Sequence, residues 1–147
     1  MASGYSILSF QSTTPQSLLL QDCYFSGSSL QNNYELLISV SNSDVNMTGC
    51  KFTGPASSAS PGVILMNSTD SSWSISDCLF YDIVKQTALI SSVQIVRTRL
   101  EIISTTFQRY TINFGLQLDF DNSTLELHNV VFEDFVTRAN TGGIQLS

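Results

Sequence analysis

Five phenylalanines recur at nearly equal intervals, Phe25, Phe52, Phe80, Phe107 and Phe132, and each closes a similar phrase. Successive phenylalanines stand 27, 28, 27 and 25 residues apart, so the chain is built from repeats. The phrases are residues 18–25, 45–52, 73–80, 100–107 and 125–132. Each places apolar or small groups at the phenylalanine and at two, five and seven residues before it, with mostly polar residues between. An alternating pattern is the period of a half-buried strand and does not fit a helix. Self-similarity at a period of roughly 20 to 50 residues points to a solenoid, an array or a propeller.

A second apolar strand precedes each phrase, at 5–10, 34–40, 62–66, 88–95, 115–120 and finally 143–147. Short turns rich in Ser, Thr, Asn and Asp, such as 67–72 and 121–124, separate the two strands. A variable segment follows each phenylalanine, and no stretch carries a helical apolar period. Helical arrays are thereby excluded. A propeller blade needs about 40 residues and four antiparallel strands, more than one unit supplies. A β-sandwich remains the rival, because closely spaced short strands also describe it. A sandwich, however, does not require the same residue type at the same phase in successive units. Here the position two before each phenylalanine reads Cys23, Cys50, Cys78, Thr105 and Val130. The pattern therefore predicts an all-β parallel solenoid of about five turns, with rungs stacked roughly 4.8 Å apart.

Phrases such as Ser76-Asp-Cys-Leu-Phe80 and Thr48-Gly-Cys-Lys-Phe52, with Gly142-Gly-Ile-Gln-Leu146 opening another turn, resemble coils of right-handed parallel β-helix proteins. That is the pectate-lyase-like superfamily. More narrowly, the repeats are similar to those of bacterial polymorphic outer-membrane proteins and of large β-helix surface proteins of protists. The resemblance covers nearly the whole chain and implies a right-handed β-helix. It implies little about activity, since that fold carries lyases, hydrolases, adhesins and scaffolds.

Composition fits a surface module. With 42% hydrophobic and only 12% charged residues, the polar surface is made mainly of Ser, Thr, Asn and Gln. A net charge of −6 argues against nucleic acid or anionic membrane as a partner, because phosphate binding needs clustered Lys and Arg. No stretch reaches the roughly 18 apolar residues of a membrane-spanning helix, so no direct membrane insertion is expected. Residues 1–147 read as a single β-helix segment, expected to belong to a longer polypeptide. Its expected partners are flanking β-helix turns of the same or neighbouring chains, with glycans as candidate ligands of the polar face.

The three cysteines, Cys23, Cys50 and Cys78, lack the close pairing of a metal site and read as reduced, inward members of a ladder. No cofactor or metal is expected. Sequons occur at Asn46, Asn67 and Asn122. Asn67 and Asn122 fall in the turns between strands, and Asn46 lies within a strand at an outward phase. Glycosylation at these sites is conditional on secretion through a eukaryotic pathway.

Catalytic patterns are sparse. Asp22 and Asp77 share an outward phase two turns apart, roughly 9.6 Å, near the upper carboxyl separation of an inverting glycosidase. No basic residue or aromatic platform accompanies them. Asp82 and Asp134, with Arg109 between, read as an exposed salt-bridge stripe. His128 is outward beside Glu126, and Trp73 takes a core phase. The resulting expectation is a non-enzymatic structural or adhesive module of an extracellular or cell-surface protein. The alternative is a carbohydrate-binding or carbohydrate-cleaving β-helix.

Overall fold

The structure, a computed structural model, describes residues 8–26, 36–54, 62–84, 88–112, 114–137 and 144–147. The expected strands at 5–10, 34–40 and 143–147 begin outside the described residues. Every described element is a strand, and all pair in parallel between successive turns. Sheet A comprises β1 (Leu8–Ser12), β4 (Leu36–Ser41), β7 (Gly62–Thr69), β10 (Ala88–Val96), β13 (Phe114–Leu118) and β17 (Ile144–Leu146), with β14 (Phe120–Asp121) also beside β10. Sheet B stacks β2 (Ser17–Gln21), β5 (Asp44–Thr48), β8 (Ser72–Ser76), β11 (Arg99–Ile103) and β15 (Thr124–His128). Sheet C stacks β3 (Tyr24–Ser26), β6 (Lys51–Thr53), β9 (Leu79–Val84), β12 (Thr106–Ile112) and β16 (Val131–Thr137).

The chain is a parallel β-solenoid. A sandwich is excluded, because strands of one turn pair with the equivalent strands of the next and not with each other. The expected five units appear as five rungs in sheets B and C, which close about four turns.

The phenylalanine phase explains the stacking. Phe25, Phe52, Phe80, Phe107 and Phe132 are direct register partners in sheet C. Their ring centroids lie 4.9, 4.5, 4.7 and 4.9 Å apart, with planes within 20° of parallel. The rung spacing fixes that distance, so one ring can fill only the layer above the last. Sheet B supplies the facing wall: Val45, Met47, Trp73, Ile75, Leu100 and Ile102 are buried at alternate positions. Sheet A closes the third side with Leu36, Ile38, Ile64, Met66, Ile90 and Ile95.

Four strands depart from simple alternation: β9, β12 and β16 of sheet C, and β10 of sheet A. In sheet C the inward set continues from Phe80 to Ile83, a step of three, with Asp82 intervening at φ 53°. Arg109 and Asp134 repeat that left-handed residue in the next two rungs, at 48° and 50°. One residue placed off the pleat resets which side faces inward. It brings Tyr110 onto Phe135 as a second aromatic stack at 5.3 Å. In β10 the register shifts between Ser92 and Gln94, and Val93 is turned outward, 60% exposed.

Candidate functional site

The polar residues at the corners have a backbone explanation. Between sheets B and C, Asp22, Gly49, Asp77, Ser104 and Asn129 have φ of 52°, 64°, 53°, 48° and 53°. Between sheets A and B, Asn42, Asp70, Arg97 and Asn122 repeat the conformation at 50°, 51°, 45° and 48°. A left-handed residue turns the chain sharply, and Gly, Asn and Asp tolerate it best. The residue type at Asp22 and Asp77 thus answers to the corner first. Gly49 separates these two acids by one rung, and a Cβ there would collide with the Asp22 carboxylate.

The residue after each left-handed position also has a fixed task. At the A–B corner, the hydroxyls of Ser43, Ser71, Thr98 and Ser123 donate to the carbonyl two residues back, at 2.8 to 3.0 Å. Each also accepts from the backbone N–H of the rung before: Ser43 N–H donates to Ser71, Ser71 N–H to Thr98, and Thr98 N–H to Ser123. At the B–C corner the thiols of Cys23, Cys50 and Cys78 donate in the same way to Gln21, Thr48 and Ser76. Thr105 takes the equivalent place, donating to Ile103 and accepting from Cys78 N–H. Cys and Thr are interchangeable in this column because each is small and carries a donor; Val130, in the last rung, keeps the size without the donor. The cysteines are more than apolar filler. All three are free. Burial raises the Cys50 thiol and pushes Cys78 up to about 12, so both stay protonated.

This hydroxyl ladder makes Thr98, 2% exposed, a sensitive position. Thr98→Val keeps the shape but strands the Ser71 N–H and removes a partner of Ser68. A loss of about 1–3 kcal/mol is expected, whereas Thr98→Ser should stay near the parent. Equal denaturant midpoints for both variants would refute the ladder's contribution.

Charged side chains pair along the axis, one rung to the next. Arg97 grips Asp70 through two bonds of 2.6 and 2.7 Å, and Arg109 grips Asp82 at 2.6 and 3.2 Å. The guanidinium lowers the carboxylate pKa in each pair. Both pairs are largely in solvent, so their part in stability is small. Of the exposed stripe read from the sequence, Arg109 and Asp82 form the ion pair, while Asp134, one rung on, is exposed and acts on Arg109 through its charge alone. The Arg109 guanidinium lies 5.9 Å from the Tyr81 ring centre.

A denser cluster lies on the outer face of sheet B. Glu101 and Glu126 are direct register partners on β11 and β15. Arg99 donates to Glu126 at 2.9 and 3.1 Å, and its Nη2 is 3.7 Å from Glu101. His128 Nε2 lies 3.5 Å from Glu126 and 3.8 Å from Glu101. The hydrogen bonds of Arg99, and then of His128, lower the Glu126 pKa. Sequence reasoning paired His128 with Glu126 and missed Glu101. The signal was present, since both glutamates stand six residues before a ladder phenylalanine.

Two tyrosines flank a shallow depression at the B–C corner, lined by Asp22, Cys23, Tyr24, Gly49, Lys51 and Tyr81. Tyr24 is 60% exposed there. An aromatic group and a basic residue, Lys51, thus do stand near Asp22, contrary to the expectation of neither.

Asn46 faces outward from β5, and Asn122 is exposed at its corner. Asn67 is placed differently from expectation. It lies within β7, paired with Ser39, and its Nδ2 donates to the Ser39 hydroxyl at 3.3 Å. The strand runs three residues past the expected end because sheet A must reach the left-handed corner at Asp70. Its side chain is still exposed. No protein family, curated protein or solved structure matches this chain.

Proposed function

We propose that the chain is a non-enzymatic structural or adhesive module, a right-handed β-helix of the pectate-lyase-like kind, in an extracellular or cell-surface protein. One observation carries this reading: the polar residues that recur from turn to turn are committed to the scaffold. The left-handed columns turn the corners, and the hydroxyl and thiol columns satisfy backbone groups. What repeats is thus the means of adding another rung. The partners consistent with it are further β-helix turns. The outer rung of sheets B and C leaves Leu127, Val131, Phe135 and Val136 between 37% and 61% exposed.

A second reading has a specific observation in its favour. Tyr24 and Tyr81 beside Asp22 and Lys51 offer ring faces and polar groups of the kind that hold a sugar. One experiment separates the two. The 147-residue chain, incubated with acidic and neutral polysaccharides, is expected to leave polymer length unchanged and to sediment as concentration-dependent oligomers. Cleavage that disappears in an Asp22→Asn/Asp77→Asn variant would overturn the structural reading. Retention on a polysaccharide column that is lost in Tyr24→Ala would establish the sugar-binding alternative.

A further inference from the structure

The cluster on the outer face of sheet B has the donors and spacing of a transition-metal site. Rung stacking sets Glu101 directly beside Glu126, and the two-residue strand period brings His128 to the same face. One donor atom from each lies within 4.8 Å of the others. The His128 Nε2 contacts to the two carboxylates, 3.5 and 3.8 Å, approach the spacing of ligands in a tetrahedral zinc shell. With metal–ligand distances of about 2.0–2.1 Å, that spacing is roughly 3.3–3.5 Å.

Charge points the same way. Two carboxylates against one guanidinium leave this patch with a net negative charge when His128 is neutral. Arg99 Nε holds the Glu126 Oε1 atom, while Oε2 is turned toward His128. The carboxylate is thereby anchored from one side with an oxygen facing the imidazole. Arg99 Nη2 also touches that oxygen at 3.1 Å and must loosen for a cation to enter.

We propose that Glu101, Glu126 and His128 bind one zinc-like divalent cation, with water completing the shell. The imidazole selects against calcium and magnesium, which prefer all-oxygen sites. The site would tie the last two rungs of sheet B together. It is independent of whether the module is structural or sugar-binding.

His128 is the chain's only histidine, so its imidazole gives one set of NMR signals. Titrating the tag-free chain with zinc chloride is expected to shift those signals saturably at one equivalent, with no shift from calcium or magnesium chloride. Glu101→Gln and Glu126→Gln should each weaken binding by at least the roughly 10- to 100-fold loss typical of an outer-shell partner. His128→Gln should abolish zinc binding in calorimetry. All three residues are at least partly exposed, so the variants should keep the parent's circular dichroism. An unshifted imidazole would overturn the proposal. So would an equal zinc response in the Glu101→Gln/Glu126→Gln double variant, which would show a lone histidine acting without the carboxylates.

Discussion

Phe80→Ala is expected to destabilise the fold by about 3–5 kcal/mol, the range for removing a fully buried aromatic from a packed core. Phe80 is completely buried and sits between Phe52 at 4.5 Å and Phe107 at 4.7 Å. Neither neighbour can fall into the gap, because each is held by its own rung. Phe25 supplies the control. Among the described residues it has one stacking partner, and it is 9% exposed, so Phe25→Ala should cost clearly less. In a solenoid each unit leans on its neighbours, and a defect in the middle weakens two interfaces where a defect at the end weakens one. Guanidinium unfolding followed by circular dichroism would read both variants. Equal midpoint losses, or an unchanged Phe80→Ala, would show that the aromatic stack is not the continuous element described above.

The ladder was legible because a solenoid turns sequence periodicity directly into contact. Phe25 to Phe132 share a phase in the sequence, and the same phase became the register. The corners were legible only as polar. Asp22, Asp77 and Asn122 suit a left-handed conformation on residue type, but Arg97 and Arg109 do not announce it. Parallel pairing on both sides imposes the conformation on them, a case of tertiary context overriding local preference. The step of three from Phe80 to Ile83 was hidden for the same reason, since it depends on Asp82 leaving the pleat.

Chemistry between rungs was harder to see. Asp22 and Asp77 stood out by shared phase, yet their column is set by backbone geometry. Glu101, Glu126 and His128 meet through a combination of phases, six and four residues before the phenylalanine, across two successive turns. Comparing one column at a time cannot reveal such a group. Only the register of β11 against β15 brings it together. The cysteine column likewise became intelligible with Thr105, whose hydroxyl makes the bond that the Cys78 thiol makes one rung earlier.

Trp73 joins the core to the corner ladder, and its replacement is the second severe change expected. It is 1% exposed, between Val45 and Leu100 in register, and its Nε1 donates to the Ser68 hydroxyl at 2.9 Å. Ser68 in turn contacts the Thr98 hydroxyl at 3.2 Å. Trp73→Ala should cost about 3–5 kcal/mol, from the cavity together with a weakened polar contact. Trp73→Phe retains much of the volume but removes the donor, so its loss should be smaller and should shrink further when Thr98→Val is already present. That coupling distinguishes a packed side chain from one tied to the ladder, since sites without a shared partner add independently. In the parent, this single tryptophan should emit at short wavelength and shift to the red on unfolding. A red-shifted native spectrum, with a stable Trp73→Ala variant, would put the indole on the surface, where it could serve as a platform for sugar.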